Sequence, residues 1–444
     1  MKEKPILPLL LSMAIPMILS MLVNSLYNII DSIFVAKINE DALTALSLVF
    51  PVQNLICSIG VGFGVGVNAV IAMSLGANNQ KAANDAASQG LLCSVIHGAL
   101  FMLFGIPAMP AFLRLFTDSA AVLDYGLCYS TIVLSFSVII TVEITFEKIF
   151  QSVGRMTASM LSLLTGCIVN IILDPLMIFG IGPFPEMGMK GAAWATNIGQ
   201  LSTLVIYLAI WTFNPPNLKL SLPAMKPTKK ICSQLYLTGI PATLNMALPS
   251  LLVSALNSIL SVYSQTYVLT LGIYYKLQTF LYLPANGAIQ GMRPLLGYNA
   301  GAKEYMRVRK IYKTTAVIIV LVMSLGMILC LTIPGKLMGM FTENPATIQT
   351  GIPALRTICF GFVVSSLSVV SAGALEALGK GPKSLIISCL RYVFFIIPAA
   401  FLLCRVFGAD TIWNAFWITE AAAALIAFTI YRKNIDSMEK KEKI

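Results

Sequence analysis

Apolar residues run in blocks about twenty long, separated by short polar or Gly/Pro stretches, along nearly the whole chain. A helix that crosses a bilayer needs about 20 mostly apolar residues, and inside lipid a helix satisfies every backbone N–H and C=O within itself. Twelve such helices are predicted, centred near residues 22, 60, 100, 135, 169, 201, 245, 282, 323, 362, 395 and 421. The pattern also repeats. Displaced by 225 positions, Pro16 falls on Pro241, Met21 on Met246, Gln53 on Gln278, Gly62 on Gly287, Gly66 on Gly291 and Gly76 on Gly301. The register continues without a gap through Phe116-Thr117-Asp118 on Phe341-Thr342-Glu343, Gly154 on Gly379 and Ser159 on Ser384. One six-helix unit therefore occurs twice, head to tail. An even number of spans returns the chain to its starting side, so the copies share one orientation, related by an axis roughly along the membrane normal.

The expected fold is an all-α integral membrane protein, with 12 transmembrane helices in two six-helix lobes related by pseudo-two-fold symmetry. Residues 1-213 form the N-terminal lobe and residues 214-230, with four Pro and four Lys, a cytoplasmic linker. Residues 231-431 form the C-terminal lobe and residues 432-444 a cytoplasmic tail.

Composition agrees with this reading. The chain is 57% hydrophobic and 11% charged with mean hydropathy +0.83, far from a soluble average near a quarter charged. Lys and Arg crowd one set of alternate loops: Lys2 and Lys4, Lys81, Lys148 and Arg155, the linker, the run from Lys303 to Lys313, Lys380 and Lys383, and the tail. The other set holds only Lys37, Arg114, Lys190, Lys336, Arg356 and Arg405. Positive loops stay inside, so both termini are expected in the cytoplasm. That bias and anionic membrane lipids account for the net charge of +11, and no nucleic-acid partner is inferred. Lys2-Glu3-Lys4 leads into a long first span, unlike a cleavable signal. Nine scattered Cys show no metal spacing and read as small apolar filler.

A carboxylate within a span is costly, about 2.5 to 3.5 kcal/mol at the bilayer centre on insertion scales. The first copy has Asp31, Glu143, Glu147 and Asp174 in or near spans, and their partners 225 positions on are Leu256, Ser368, Ala372 and Ala399. Acids are thus expected in one half only, with any cation coupling in the N-terminal lobe. Asn170 lies one helical turn before Asp174 and shares its face. Pro175 removes a backbone donor and frees a carbonyl. The freed carbonyl and the carboxylates of Asp31 and Asp174 then offer either a hard-oxygen cation site, with Na+ at Asp31 and Asp174, or a pair of carboxylates that holds a proton. A helix-distorting Asp-Pro turn is the structural alternative for Asp174.

Glu143 and Glu147 share a face of the fourth span. With Gln53, Lys276 and Gln278 they are candidates for a substrate cavity. Glu147 beside Lys148 and Arg155 reads equally as an interfacial ion pair. Lys276 falls deep in the eighth span, where it lines a cavity, pairs with an acid across the lobes, or snorkels outward. Arg391 is shallower and is expected to snorkel, while His97 is expected to be a satisfied intramembrane histidine. Gly62, Gly66, Gly287 and Gly291 recur in both copies and read as close-packing positions.

Residues 170–180, Asn-Ile-Ile-Leu-Asp-Pro-Leu-Met-Ile-Phe-Gly, followed by Gly188 and Gly191-Ala192-Ala193-Trp194-Ala195-Thr196, resemble the fifth and sixth helices of multidrug and toxic compound extrusion (MATE) transporters. So do Ile29-Ile30-Asp31-Ser32, Phe146-Glu147-Lys148 with Gln151-Ser152-Val153-Gly154, residues 272–278, and Gly297-Tyr298-Asn299-Ala300-Gly301-Ala302. The resemblance covers essentially the whole chain. It implies a coupling site built from Asp31, Asn170, Asp174 and Thr196. Branches that use C-terminal acids want carboxylates in the seventh and tenth spans; the seventh has none and the tenth only Glu376.

The function so implied is secondary active multidrug efflux: an antiporter that exports amphipathic organic cations in exchange for H+ or Na+ by alternating access. It is expected to work as a monomer in the plasma membrane without a cofactor, H+ being the expected ion and Na+ the alternative. A lipid-linked saccharide flippase with the same core is the rival reading, though a pyrophosphate cargo asks for more cavity cations than Lys276, Arg293 and Arg391. With one His, no ligand cluster and no nucleophile beside a base, the chain is not expected to be an enzyme.

Overall fold

A computed structural model describes residues 1–443, and among the described residues there are helices and no strands. The first six spans are Ile6–Ala36, Glu40–Gly76, Gln80–Arg114, the pair Ala120–Ser135 and Ser137–Ser152, Met156–Phe179 and Met189–Phe213. The second six are Lys229–Ser261, Gln265–Gly301, Tyr305–Thr332, the pair Pro345–Ile358 and Phe360–Ala377, Gly381–Phe407 and Ala409–Lys440. Ten helices are long and apolar enough to cross a membrane, and an eleventh joins them when the fourth span, bent by 51°, is taken as one. The twelfth expected span is Gln265–Gly301, which carries Lys276 and Arg293. Its 37 residues reach about 55 Å.

The repeat is visible in helix starts and turns as well as in residue types. Glu40–Gly76 and Gln265–Gly301 match end to end at the 225 offset, and Met156 and Met189 begin helices where Gly381 and Asn414 do. Asn39 and Ser264 cap equivalent N-termini through their side chains, as do Ser119 and Asn344. Left-handed backbone also recurs in pairs: Asn78 (φ 55°) with Lys303 (61°), and Gly154 (81°) with Gly379 (67°). The duplicated sequence thus repeats turn geometry in which glycine costs least.

Contacts divide the chain differently from the expected lobes 1-213 and 231-431. One compact unit is Pro16–Gly239; the other comprises Met1–Ile15 and Ile240–Ile444. Each repeat's first helix therefore divides near the equivalent prolines Pro16 and Pro241. Close glycine approaches explain the exchange. A Cβ on Gly66 would lie 2.2 Å from the Leu235 carbonyl oxygen, and a Cβ on Gly291 would lie 2.8 Å from the Ala14 nitrogen. The close-packing role expected of these glycines is what their surroundings show. In the first unit the second, third and fourth spans pack around Phe63, Val67, Ile71, Leu91, Ile149 and Phe150. In the second unit the tenth and twelfth spans make the most extensive helix pair.

Candidate functional site

The unit Pro16–Gly239 gathers the four residues expected to couple a cation. Asp31 comes from the first span, Asn170 and Asp174 from the fifth, and Thr196 from the sixth. All are buried, with Asp174 completely so and Asp31 7% exposed. The fifth helix continues through Pro175 and ends at Gly180, whose left-handed φ of 68° supplies the cap. The Asp-Pro step therefore lies within the helix and is not a turn. In the orientation that satisfies both neighbours, the Asn170 amide donates to Asp174 Oδ2 at 3.1 Å and its oxygen accepts from the Thr196 N–H at 3.0 Å.

The carboxyl groups of Asp31 and Asp174 lie side by side, near enough to interact directly. Asp31 Oδ1 and the Thr196 hydroxyl are buried with no hydrogen-bond partner among the described residues. Beside them Gln53 donates to the Tyr129 hydroxyl at 3.4 Å. The site thus offers two carboxyls and a hydroxyl in a largely apolar place, with capacity for a proton or a small hard cation. It needs no cofactor for that, and among the described residues there is no cluster of three or more metal-ligating side chains.

The substrate-cavity candidates are divided between the two units. Glu143 and Glu147 lie inside the first unit, Gln53 beside the carboxyl pair, and Lys276 and Gln278 in the other unit. Lys148, read as a loop cation, is buried: its Nζ lies 3.0 Å from Glu147 Oε1 and donates to Gln151 Oε1 at 3.2 Å. Gln151 closes the ring onto Glu147 at 2.5 Å. Glu147 is therefore in an ion pair, but an internal one. Arg155 donates instead to the carbonyls of Asn214 and Pro215, fastening the linker. Lys276 is exposed on its helix and makes no ion pair among the described residues. His97 is satisfied, 2.8 Å from the Tyr236 hydroxyl and edge-on to Phe63.

Two expectations fail in the second copy. Arg391 does not snorkel; it is 7% exposed, and its Nε donates to Glu420 Oε1 at 2.5 Å. Nor are acids confined to the first half. Glu376 is buried and accepts from Arg293 at 2.5 Å, Asn245 at 2.8 Å and Ser384 at 3.1 Å. Glu420 went unnoticed because it was not set against Arg391, 29 positions away and in a different helix. Each is costly alone in an apolar span and acceptable as a pair. The 225 offset carries the signal for Glu376: its counterpart is Gln151, Arg293's is Asn68, and Ser384's is Ser159, all buried polar residues. Gln278 lines a small cavity beside the Arg391–Glu420 pair with Tyr274, Tyr275 and Tyr282.

The family model MatE matches residues 16–176 and again residues 241–402, one match in each copy. Multidrug export protein MepA of Staphylococcus aureus (strain MRSA252) is 24% identical over 430 residues, covering 97% of this chain and 94% of that protein. MepA of Staphylococcus saprophyticus is 25% identical over 418 residues, covering 94% and 91%. Among solved structures, one of MATE in the bent conformation superposes with TM-score 0.92 at 24% identity, over 98% of this chain and 97% of that one. At that identity the structural likeness speaks for the fold.

Proposed function

The chain belongs to the MATE family of membrane transporters, and from that premise we propose that it exports small organic cations in exchange for an ion bound at Asp31 and Asp174. It is a multi-pass membrane transporter and not an enzyme. Its similarity to multidrug export proteins along nearly their full length supports efflux of varied small molecules. The observation that carries the coupling site is that the Asp31 and Asp174 carboxyls are buried side by side, with Asn170 bonded to one of them. Two neighbouring carboxyls can share a proton in a hydrogen bond, whereas ionised carboxylates are acceptors alone. Loss of that proton sets two like charges side by side out of water. Binding and release of an ion there change the local free energy sharply. A ligand with different affinities for two states of the carrier shifts the balance between them.

Asn170 orients Asp174 and joins the fifth helix to the sixth through the Thr196 backbone. Thr196 adds a hydroxyl next to the pair. The Lys and Arg distribution supports insertion in the cell membrane with cytoplasmic termini. The chain's two matching copies supply twelve spans, and we read the carrier as a monomer. The flippase alternative draws no support, because Arg293 and Arg391 are each held by a buried carboxylate rather than left for a pyrophosphate. Reconstitution into liposomes tests the proposal: a cationic dye should leave against its gradient when an inward ion gradient is imposed. Dye movement equal to that in protein-free liposomes would refute it.

A further inference from the structure

On the unit Met1–Ile15 with Ile240–Ile444, a groove of about 570 Å³ runs between the ninth and twelfth spans. That is within the range of roughly 300–1,000 Å³ typical of ligand pockets. The helical repeat sets its character. On the ninth span Lys313, Val317 and Leu321 follow at intervals of four, so one face passes from cationic to apolar over about 12 Å. On the twelfth, Phe428 precedes Arg432 by four residues and the order is reversed. Arg309 at the start of the ninth span pairs with Asp436 and Glu439 at the end of the twelfth, so the two cations share one end of the groove and the apolar side chains the other.

The charges at that end are unequal in availability. Arg309 is already neutralised, at 2.8 Å from both Asp436 and Glu439. Lys313 and Arg432 are exposed and make no ion pair among the described residues. Tyr431 stacks on Tyr312 at 3.9 Å between ring centroids and forms the buried floor of the groove, 4% exposed. Val317 and Leu321 present open apolar surface, 50% and 65% exposed. Because these helices cross a membrane, what lies along them is lipid.

We propose that this groove binds one anionic phospholipid, with its phosphate between Lys313 and Arg432 and an acyl chain along Val317, Leu321 and Phe428. An amphipathic cation would meet two unpaired positive charges and is disfavoured. A free phosphate has no use for the apolar length. Basic pockets between spans near the charged face of a membrane are suited to anionic headgroups. The inference concerns a surface separate from Asp31 and Asp174 and does not depend on the coupling reading.

Native mass spectrometry of the purified full-length protein after exposure to phosphatidylglycerol or phosphatidylcholine decides it. The protein should retain a single phosphatidylglycerol in preference to phosphatidylcholine. Lys313→Gln with Arg432→Gln should weaken that retention about 25-fold, at roughly fivefold for each charge removed. Leu321→Trp, which fills the groove and leaves the charges, should weaken it as well and covers the case in which the double variant fails to fold. Retention of both lipids equally, or retention unchanged in either folded variant, would overturn the proposal. So would displacement of the lipid by glycerol phosphate alone, which would mark a plain anion site, or by tetraphenylphosphonium, which would mark a substrate site.

Discussion

Replacing Asp31 with Asn keeps the side chain's size and removes its ability to exchange a proton or hold a cation. Asp31→Asn should therefore abolish gradient-driven dye efflux while the protein still inserts and melts near the wild-type temperature. Efflux at the wild-type rate in reconstituted liposomes would rule out coupling at the carboxyl pair. A different outcome is expected at the other buried charges. Glu420→Ala leaves the Arg391 guanidinium buried without its partner, and breaking such a pair costs about 3–5 kcal/mol. Removing both, as Arg391→Leu with Glu420→Leu, should restore much of the lost stability, read as apparent melting temperature in detergent. If the double variant melts no higher than the single one, the pair is not what stabilises this interior. At this scale the sequence was legible where polar residues are close along one helix. Asn170 and Asp174 are four apart and were recognised; Arg391 and Glu420 are 29 apart, and their partnership lies in helix packing that single-helix reasoning does not reach.

The fifth and sixth spans hold the carboxyl site because their backbones come unusually close. A Cβ on Gly166 would stand 1.9 Å from Thr203 Oγ1 and 2.8 Å from the Gly199 carbonyl oxygen, and one on Gly199 would stand 3.0 Å from the Asn170 Cβ. Such small-residue crossings let helices pack without a hydrophobic drive between them in lipid. Gly166→Leu should push the two helices apart, separate Asn170 from the Thr196 backbone and lower dye efflux although no acid is touched. Wild-type efflux and melting in that variant would show that the crossing does not position the site. A related exchange occurs between the copies. Gly64 makes room for Lys148, whose Cγ would be 2.5 Å from an added Cβ, whereas at the equivalent pair Gly373 makes room for Ile289 at 2.6 Å. The large and small partners have traded places. The number and centres of the spans were readable from the sequence because each apolar block is a local pattern. Lys148 was misread as a loop cation because the space that accepts it belongs to another helix.

Taken as a whole, the molecule repeats its frame and varies its chemistry. The copies share helix bounds, caps and left-handed turns, yet the first has a carboxyl pair where the second has Leu256 and Ala399, with Phe395 at the position of Asn170. The second copy's buried acids Glu376 and Glu420 are each neutralised by an arginine, whereas the buried Asp31 and Asp174 of the first have no ion-pair partner among the described residues. That asymmetry bears on which ion drives transport. A sodium ion would draw oxygens from Asp31, Asp174 and Thr196, while the Asn170 oxygen already accepts from the Thr196 N–H. Three side-chain oxygen donors are few for a metal ion, and two neighbouring carboxyls can share a proton. Protons are therefore the expected coupling ion. Dye efflux from liposomes should follow an imposed pH gradient with sodium absent from both sides, and it should stop when the gradient is collapsed with a protonophore. Efflux that requires sodium and ignores pH would reverse the assignment and would require Thr196 and the carbonyl freed by Pro175 to complete a sodium site.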